Sequence, residues 1–250
     1  RNRGLPCPAP AGALVPWDPN PAELALPAPR SDVVAFSGAE NIYVAGGRTA
    51  DGLTASVLAN VVDDEGNLIP WTETAALPEP RADGAVVAAS GVPYYIGGVG
   101  ADGAAVTTVY RGVLTEGVLS GWEVAEELAL PEPISDAMVV STVRGLYLFG
   151  GRIGGQPSDR VWVSALGEGT AAELTAWAEV PELRLPEARA DGTAVNVARF
   201  IYVLGGEGPQ GVSNSVYFLD LDDEGMPVAG EGGAIQGWGV AAGDGTPFAL

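Results

Sequence analysis

Arginine and aspartate residues in a repeated Arg-x-Asp arrangement are the side chains in this sequence best suited to chemistry. The set, in which Ile134 takes the place of the third arginine, comprises Arg30, Asp32, Arg81, Asp83, Asp136, Arg189 and Asp191. Guanidinium groups and carboxylates that converge on a narrow, partly dry opening can hold a sugar acid or a cation. These seven residues are therefore the candidate binding residues.

The composition removes several kinds of catalytic site. The chain contains no histidine, so neither a Ser-His-Asp nor a Cys-His nucleophile can be assembled. The imidazole ligands of most copper and zinc sites are missing for the same reason. Carboxylates are abundant, but their spacing singles out no pair for acid and base work. We predict no catalytic residues, no metal site and no cofactor.

A second acidic cluster, from Asp220 to Gly225, has some features of a calcium loop. Glu231 follows Asp220 by eleven residues, close to the spacing with which carboxylate oxygens surround calcium. Pro227 falls inside this stretch, however, and no helices are predicted beside it. We therefore predict an acidic hairpin turn rather than a calcium site.

A repeat positions the candidate binding residues. The first glycine of a Gly-Gly pair follows the arginine position by 16 residues in every unit, at Gly46, Gly97, Gly150 and Gly205. A tyrosine lies three residues before each pair, at Tyr43, Tyr94, Tyr147 and Tyr202, and a tryptophan closes each unit, at Trp71, Trp122, Trp177 and Trp238. Four short β-type runs separated by turns, repeated about every 50 residues, predict an all-β propeller of four-stranded antiparallel blades.

The order of these motifs resembles the Kelch repeat. Pro-Arg, an apolar run, a glycine turn, Tyr-x-x-Gly-Gly, an aromatic residue and a tryptophan follow one another, and the resemblance covers nearly the whole chain. It implies a propeller of Kelch-like blades, a fold that hosts oxidases, isomerases and plain binding modules. Copper-radical oxidases of this resemblance need histidine ligands, so their activity is not implied for this chain.

The repeat also predicts the organisation of the chain. We expect a tail or linker at residues 1–12 and one propeller at 13–250, with complete blades at 26–71, 77–122, 130–177 and 185–238. Inner strands are expected at 32–37, 83–89, 136–142 and 191–197. Residues 13–18 resemble the end of the first blade and predict an orphan outer strand, whose partner strands would follow Leu250. The ring would then contain five or six blades.

Antiparallel strands bring the candidate binding residues to one face. The start of each first strand and the end of each second strand lie on the same side of the ring. The Arg-x-Asp residues should therefore surround the mouth of the central channel. Because they recur in every blade, whereas a binding site usually breaks repeat symmetry, a structural role in bridging neighbouring blades is favoured over a binding role.

The charge of the chain limits its partners. There are 32 acidic and 12 basic residues, a net charge of -20, which repels phosphate backbones and anionic lipid. No apolar run is long enough to cross a bilayer. We predict no nucleic acid partner and no direct membrane insertion of the visible chain.

These observations predict a binding or scaffold module without catalytic activity. It would belong to an exported or cell-surface bacterial protein and recognise a protein or a glycan through its propeller loops. The alternative is a carbohydrate-active enzyme resembling Kelch-like sialate isomerases, which would use arginine and carboxylate residues at the channel mouth. A single asymmetric pocket with a perturbed carboxylate would favour the enzyme.

Overall fold

Strands dominate the structure, a computed structural model that describes residues 24–38, 41–61, 69–167, 173–228 and 237–240. Two single-turn 3-10 helices, Glu126–Leu128 and Pro181–Leu183, lie in the connections that lead into the third and fourth repeats. Within the described ranges, no helix is long and apolar enough to cross a membrane.

Four antiparallel sheets stand in a ring and form a four-blade β-propeller, which confirms the predicted all-β propeller fold and its four complete blades. Blade one contains the strands Val34–Ser37, Asn41–Ala45, Val57–Val61 and Thr72–Glu73. Blade two contains Ala85–Ala89, Val92–Ile96, Val109–Thr115 and Val118–Val124. Blade three contains Met138–Thr142, Gly145–Phe149, Val161–Ala165 and Ala178–Glu179. Blade four contains Thr193–Val197, Phe200–Leu204, Val216–Asp220 and Gly239–Val240.

A short hairpin follows the Gly-Gly pair in three of the blades. It pairs Arg48–Thr49 with Gly52–Leu53, Arg152–Ile153 with Gln156–Pro157, and Glu207–Gly208 with Gly211–Val212. In blade two, Val99 forms isolated bridges to Ala82 and Ala105 at the same place. The first residue after each Gly-Gly pair is thereby held beside the start of its inner strand.

The inner strands end where the sequence predicts and begin two residues later. They start at Val34, Ala85, Met138 and Thr193. Each preceding aspartate has a left-handed backbone, with φ between 55° and 56°. This conformation cannot continue a strand, and aspartate tolerates it better than most residues. The aspartates therefore belong to the turns that lead into the strands.

Three apolar cores fill the spaces between consecutive blades. Tyr43 and Ala45 of blade one pack with Tyr95 and Leu119 of blade two. The core between blades two and three contains Tyr94, Ile96, Leu146, Leu148 and Trp162. The core between blades three and four contains Tyr147, Phe149, Ile201, Val203 and Tyr217. We call the face of each blade that carries the repeat tyrosine the forward face, and in blades one, two and three it packs against the following blade.

The same four backbone hydrogen bonds join each of these three pairs of blades. Between blades one and two, Gly47 N–H donates to Arg81 O (2.7 Å), Asp83 N–H to Asp32 O (3.2 Å), Arg81 N–H to Thr54 O (3.2 Å) and Leu77 N–H to Ala55 O (2.9 Å). Equivalent bonds from Gly98, Asp136, Ile134 and Leu130 join blades two and three, and those from Gly151, Asp191, Arg189 and Leu185 join blades three and four.

The junction between blades four and one differs from the other three. Among the described residues, none of the four backbone bonds joins blade four to blade one, and no apolar core spans the two blades. We call this place the open junction. The predicted orphan strand at 13–18 and the tail at 1–12 lie outside the described residues, so a ring of five or six blades stays a prediction.

Candidate functional site

Four aspartates from four different blades line one shallow pocket at the end of the central channel. The pocket has a volume of about 210 Å³, and its wall is formed by Asp32, Val33, Asp83, Gly84, Asp136, Ala137, Asp191 and Gly192. Asp32, Asp83, Asp136 and Asp191 are equivalent residues of the repeat. The structure therefore brings together the four candidate carboxylates, and we call this pocket the aspartate mouth.

The backbone holds the four aspartates in a fixed order. Asp83 N–H donates to Asp32 O at 3.2 Å, Asp136 N–H to Asp83 O at 2.7 Å and Asp191 N–H to Asp136 O at 3.0 Å. All four share the left-handed backbone described above. Because each turn is tied to the next blade, the spacing of the carboxylates depends on the rigid packing of the blades rather than on mobile loops.

Two arginines connect these carboxylates in pairs. Arg48 Nε lies 3.0 Å from Asp32 Oδ2, and Arg48 Nη2 lies 2.7 Å from Asp83 Oδ2. Arg152 Nε lies 3.5 Å from Asp136 Oδ2, and Arg152 Nη2 lies 2.9 Å from Asp191 Oδ2. Arg152 also binds the carboxylate of Glu207. Each guanidinium thus crosses one junction, between blades one and two or between blades three and four.

The alternation of residues after the Gly-Gly pairs explains this pairing. The four positions hold Arg48, Val99, Arg152 and Glu207 in blade order. Blades one and three therefore supply a cation, whereas blade two supplies an apolar residue and blade four a further carboxylate. Five carboxylates meet two guanidiniums, and the aspartate mouth has a net negative charge. The electrostatic balance favours a positively charged ligand.

Asp136 is the carboxyl group in the aspartate mouth whose environment most favours the protonated form. Burial, together with the nearby carboxylates of Asp191 and Asp83, raises the pKa of Asp136 to about 6. Ser135 Oγ donates to Asp136 Oδ2 at 2.6 Å and opposes this shift in pKa. Hydrogen bonds to their carboxylate partners raise the pKa values of Arg48 and Arg152. Both arginines therefore stay charged.

The three candidate arginines lie behind the aspartates and do not line the pocket. Arg81 is buried, donates from Nη2 to Tyr110 Oη (3.0 Å) and lies 5.3 Å from the centre of that ring. Arg189 is also buried and donates from Nη2 to the Tyr217 hydroxyl at 2.9 Å. Tyr110 and Tyr217 belong to the third strands of blades two and four. These contacts therefore attach the segment that enters each blade to the third strand of the same blade. A ligand-binding role for these arginines stays a prediction.

Arg30 and Ile134 occupy the remaining two arginine positions. Arg30 Nη1 donates to Gly46 O at 3.3 Å, and Arg30 Nη2 donates to Ser56 Oγ at 3.1 Å. Ile134 is fully buried in the core between blades two and three. In blade three, the position of Tyr110 and Tyr217 is held by Trp162, which lies in the same apolar core as Ile134 and offers no hydroxyl to accept from an arginine.

Sequence reasoning missed Arg48, Arg152 and Glu207. Their signal was present as the residue that follows each Gly-Gly pair, at a constant distance of 16 residues from the aspartate of the same blade. The position varies between blades, so it does not stand out as part of the repeat. Because the position varies, only two of the four blades supply a guanidinium to the carboxylates of the mouth.

The second acidic cluster forms a turn in blade four. Asp222 Oδ1 accepts the backbone N–H groups of Glu224 (3.0 Å) and Met226 (2.8 Å), and Asp220 Oδ2 pairs with Arg199 at 2.5 Å. Glu231, the last ligand of the possible calcium loop, lies outside the described residues. Across the described part of the chain, no group of three or more acidic or cysteine side chains is arranged to hold a metal ion.

Comparison with known proteins adds no further assignment. No protein-family model matches the chain, and no curated protein matches it by sequence. The geometry of the propeller and of the aspartate mouth therefore carries the functional argument.

Proposed function

We propose that this chain is a Kelch-like binding module without catalytic activity, whose aspartate mouth receives a basic side chain of a protein partner. The observation that carries the proposal is the convergence of one aspartate from each blade on a single pocket. A carboxylate surface repels anions and attracts cations over several ångströms. The pocket is an open depression, which suits the tip of an arginine or lysine side chain.

The shape and charge of the pocket support a basic residue over a metal ion. Arg48 pairs with Asp32 and Asp83, and Arg152 pairs with Asp136 and Asp191, so each carboxylate already has a cationic partner. Among the described residues, no group of three or more carboxylates is arranged to hold a metal ion. A guanidinium or ammonium group, in contrast, can bind carboxylates that are several ångströms apart. The acidic surface of the whole chain, with a net charge of -20, would also accelerate the approach of a basic partner.

The proposal extends to the place of the protein in the cell. The acidic, lysine-free surface supports an exported or cell-surface protein, bacterial in origin, as the sequence predicted. A glycan, the other predicted ligand, would bind through hydrogen bonds rather than charge. Glycan binding would therefore depend little on salt concentration, whereas binding of a basic side chain would weaken as salt rises. This difference distinguishes the two kinds of ligand.

Binding of an arginine-rich peptide to the intact chain tests the proposal. We expect calorimetry to detect binding that weakens as salt rises and that falls at least about tenfold in Asp191→Asn, which removes one mouth carboxylate. Glu116→Gln removes the same charge from an exposed turn and serves as the control. Equal binding by both variants would show that only the overall charge attracts the peptide. Binding of a glycan by a chain that does not bind the peptide would show that the ligand is a glycan and not a protein.

The carbohydrate-active enzyme is a second candidate because of one observation. Asp136, with its pKa raised to about 6, can exchange a proton near neutral pH, as general acid and base catalysts do. Turnover of acidic or neutral sugars by the wild-type chain, lost in Asp136→Asn but kept in Glu116→Gln, would establish this function. Absence of turnover together with peptide binding would support the binding module.

A further inference from the structure

A second pocket lies in blade two and shares no wall residue with the aspartate mouth. It is formed where the segment that enters the blade meets the start of the third strand and the end of the outer strand, and its volume is about 280 Å³. Its wall includes Glu79, Thr107, Thr108, Glu126 and Ala129. We call it the blade-two pocket.

The free polar groups of the blade-two pocket accept hydrogen bonds. Glu79 Oε2 lies 3.2 Å from Arg81 Nη2, but the Glu79 side chain is 65% exposed and can accept from a second partner. Within the described ranges, Glu126 forms no ion pair, and neither Thr107 nor Thr108 uses its hydroxyl in a hydrogen bond. The described wall residues include no basic side chain. The pocket therefore offers acceptors without a cation, which suits a positively charged ligand that donates hydrogen bonds.

Blade three holds two arginines at the equivalent place. The backbone carbonyls of Thr108 and Arg160 each accept the N–H of the first Gly-Gly residue in their own blade, so these two residues are equivalent. Ala129 and Arg184 are equivalent because each precedes the leucine that leads into the next blade. Blade three is thus an internal reference for the pocket of blade two.

The two guanidinium groups of blade three connect carboxylates from different segments. Arg184 Nη1 lies 2.9 Å from Asp159 Oδ1, and Arg184 Nη2 lies 2.7 Å from Glu179 Oε1. Arg160 binds Glu132 through Nη1, and its Nε lies 3.8 Å from Glu179 Oε1. A guanidinium group is planar and carries donors on several sides, so one group can bind two carboxylates.

Blade two lacks both of these cations. Thr108 and Ala129 have short side chains, which accounts for the space between the same three segments. Glu79 occupies the place of Glu132, the carboxylate that binds Arg160 in blade three. A guanidinium group from outside the chain can therefore make in blade two a contact that blade three makes internally.

We propose that the blade-two pocket binds a guanidinium group of a ligand. The inference does not depend on the role proposed for the aspartate mouth, because the two pockets share no wall residue. The apolar residues Val109 and Val124 also line the pocket and can pack against the carbon chain that carries the group. Both a small guanidino compound and an arginine side chain of a protein have this chemistry.

Calorimetry with a capped tripeptide that contains one arginine tests the inference. The titrations use the whole chain carrying Asp191→Asn, which removes a carboxylate of the aspartate mouth and leaves the wall of the blade-two pocket unchanged. We expect the arginine tripeptide to bind at least about tenfold more tightly than the matching lysine tripeptide, because an ammonium group lacks the planar fork.

A variant that fills the pocket with a guanidinium of the chain itself is the decisive comparison. Ala129→Arg reproduces the residue that blade three has at Arg184 and should weaken binding of the arginine tripeptide at least about tenfold. The melting temperature should not fall, because Ala129 is exposed. Ala76→Arg makes the same change at the equivalent exposed residue of blade one, where Ala28 stands in place of the glutamate, and should leave binding unchanged.

Ethylguanidinium distinguishes the two sources of the group. If it binds as tightly as the arginine tripeptide, the ligand is a small guanidino compound. If it binds at least about tenfold more weakly, the ligand is an arginine side chain presented by a protein.

Four results would overturn the inference. The first is that the Asp191→Asn chain does not bind the arginine tripeptide; if the wild-type chain still bound it, the proposed role of the aspartate mouth would stand. The second is equal affinity for the lysine tripeptide. The third is binding that Ala129→Arg leaves unchanged, and the fourth is equal weakening by Ala129→Arg and Ala76→Arg, which would assign binding to overall charge. Equal binding by the wild-type and Asp191→Asn chains that Ala129→Arg abolishes would support the blade-two pocket and contradict the mouth.

Discussion

Arg152 Nη2 lies 2.9 Å from Asp191 Oδ2 and thereby joins blade three to blade four above the central channel. The same guanidinium contacts Asp136 and Glu207, so one cation is shared by three carboxylates from two blades. The contact serves the fold, because it offsets repulsion between blades. It also affects the charge of the aspartate mouth, so the proposed binding would depend on the same side chain as the fold.

Removal of this cation should lower stability in a salt-dependent manner. Arg152→Ala leaves three carboxylates close together without a counterion, and we expect a loss of about 1 kcal/mol, because the group is partly exposed and screened. Urea denaturation at low and high salt measures the change, which should shrink as salt rises. Arg199→Ala breaks an ion pair with Asp220 outside the mouth and should cost less. Equal losses would contradict a special role for Arg152.

The raised pKa of Asp136 predicts a particular dependence of stability on pH. In the unfolded chain this carboxyl has a pKa of about 3.9, whereas in the folded protein its pKa is about 6. The folded state therefore binds the proton more tightly, and the group destabilises the fold increasingly as pH rises from about 4 to about 6. Below that window the carboxyl is protonated in both states, and the destabilisation disappears.

Asp136→Asn removes this effect and isolates it from other titrations. We expect the variant to be more stable than the wild type by about 1 kcal/mol at pH 7.5, after allowance for solvent screening, and to lose that advantage near pH 4. Denaturation curves of both proteins at several pH values give the difference directly. A difference that is constant with pH would show that Asp136 titrates normally in the folded protein.

The repeat made the fold predictable, because the constant spacing of aspartate, tyrosine, Gly-Gly and tryptophan reflects constant blade geometry. The same regularity did not reveal that the arginine and the aspartate of one Arg-x-Asp motif have different surroundings. Two residues apart, Arg81 is buried on Tyr110 while Asp83 lines the mouth, since the left-handed backbone of Asp83 turns the chain between them. The spacing was therefore sufficient to predict that the four aspartates lie at one end of the channel, but side-chain direction at a turn could not be deduced from spacing.

The sequence contains only an indirect indication of the open junction. The orphan segment at 13–18 suggested that blades one and four do not complete the ring by themselves, and the described residues contain no backbone bond of the repeated type between them. Exposure of Val195 and Val197 in blade four, in contrast, could not be predicted. The inner strand of this blade has the apolar pattern of a buried strand, and such a pattern shows which face can be buried but not what covers it.

The buried arginines should contribute to stability in proportion to their hydrogen bonds. Arg189 Nη1 donates to Ala188 O, and its Nη2, which carries two hydrogens, has four acceptors within reach: Ser213 Oγ, Ser215 Oγ, Glu187 and Tyr217 Oη. Arg81 Nη1 donates to Pro80 O, and its Nη2 has two acceptors, Tyr110 Oη and Glu79. We expect Arg81→Ala to cost roughly 1 to 3 kcal/mol and Arg189→Ala about 1 kcal/mol more. Thermal denaturation ranks the two variants. An unchanged melting curve for Arg81→Ala combined with lost ligand binding would assign Arg81 to binding instead.

Calcium should have little effect on this protein. The Asp222 carboxylate already accepts two backbone N–H groups of its own turn, and Asp220 Oδ2 pairs with Arg199, so calcium would have to compete with these contacts. We expect millimolar calcium to leave the melting temperature unchanged, whereas binding would raise it. A rise that EDTA reverses and that Asp222→Asn abolishes would show a calcium site in this turn.

A matched pair of glycine substitutions tests the open junction. Gly150 and Gly205 are equivalent residues with the same φ of 60°, so replacement by alanine costs each the same backbone strain, about 1 to 2 kcal/mol. Their surroundings differ. A Cβ on Gly150 would lie 2.2 Å from Arg189 O of the next blade, whereas on Gly205 the nearest atom is Ser213 O of the same blade, at 3.3 Å.

Gly150→Ala should therefore cost at least about 2 kcal/mol more than Gly205→Ala, because the clash separates blades three and four and breaks the bond from Gly151 N–H to Arg189 O. Gly97→Ala, which would place a Cβ 2.5 Å from Ile134 O, should resemble Gly150→Ala. Chemical denaturation of the three variants provides the comparison. If Gly205→Ala were as damaging as the other two, the backbone of blade one would have to lie against Gly205 in solution, and the junction between blades four and one would be closed.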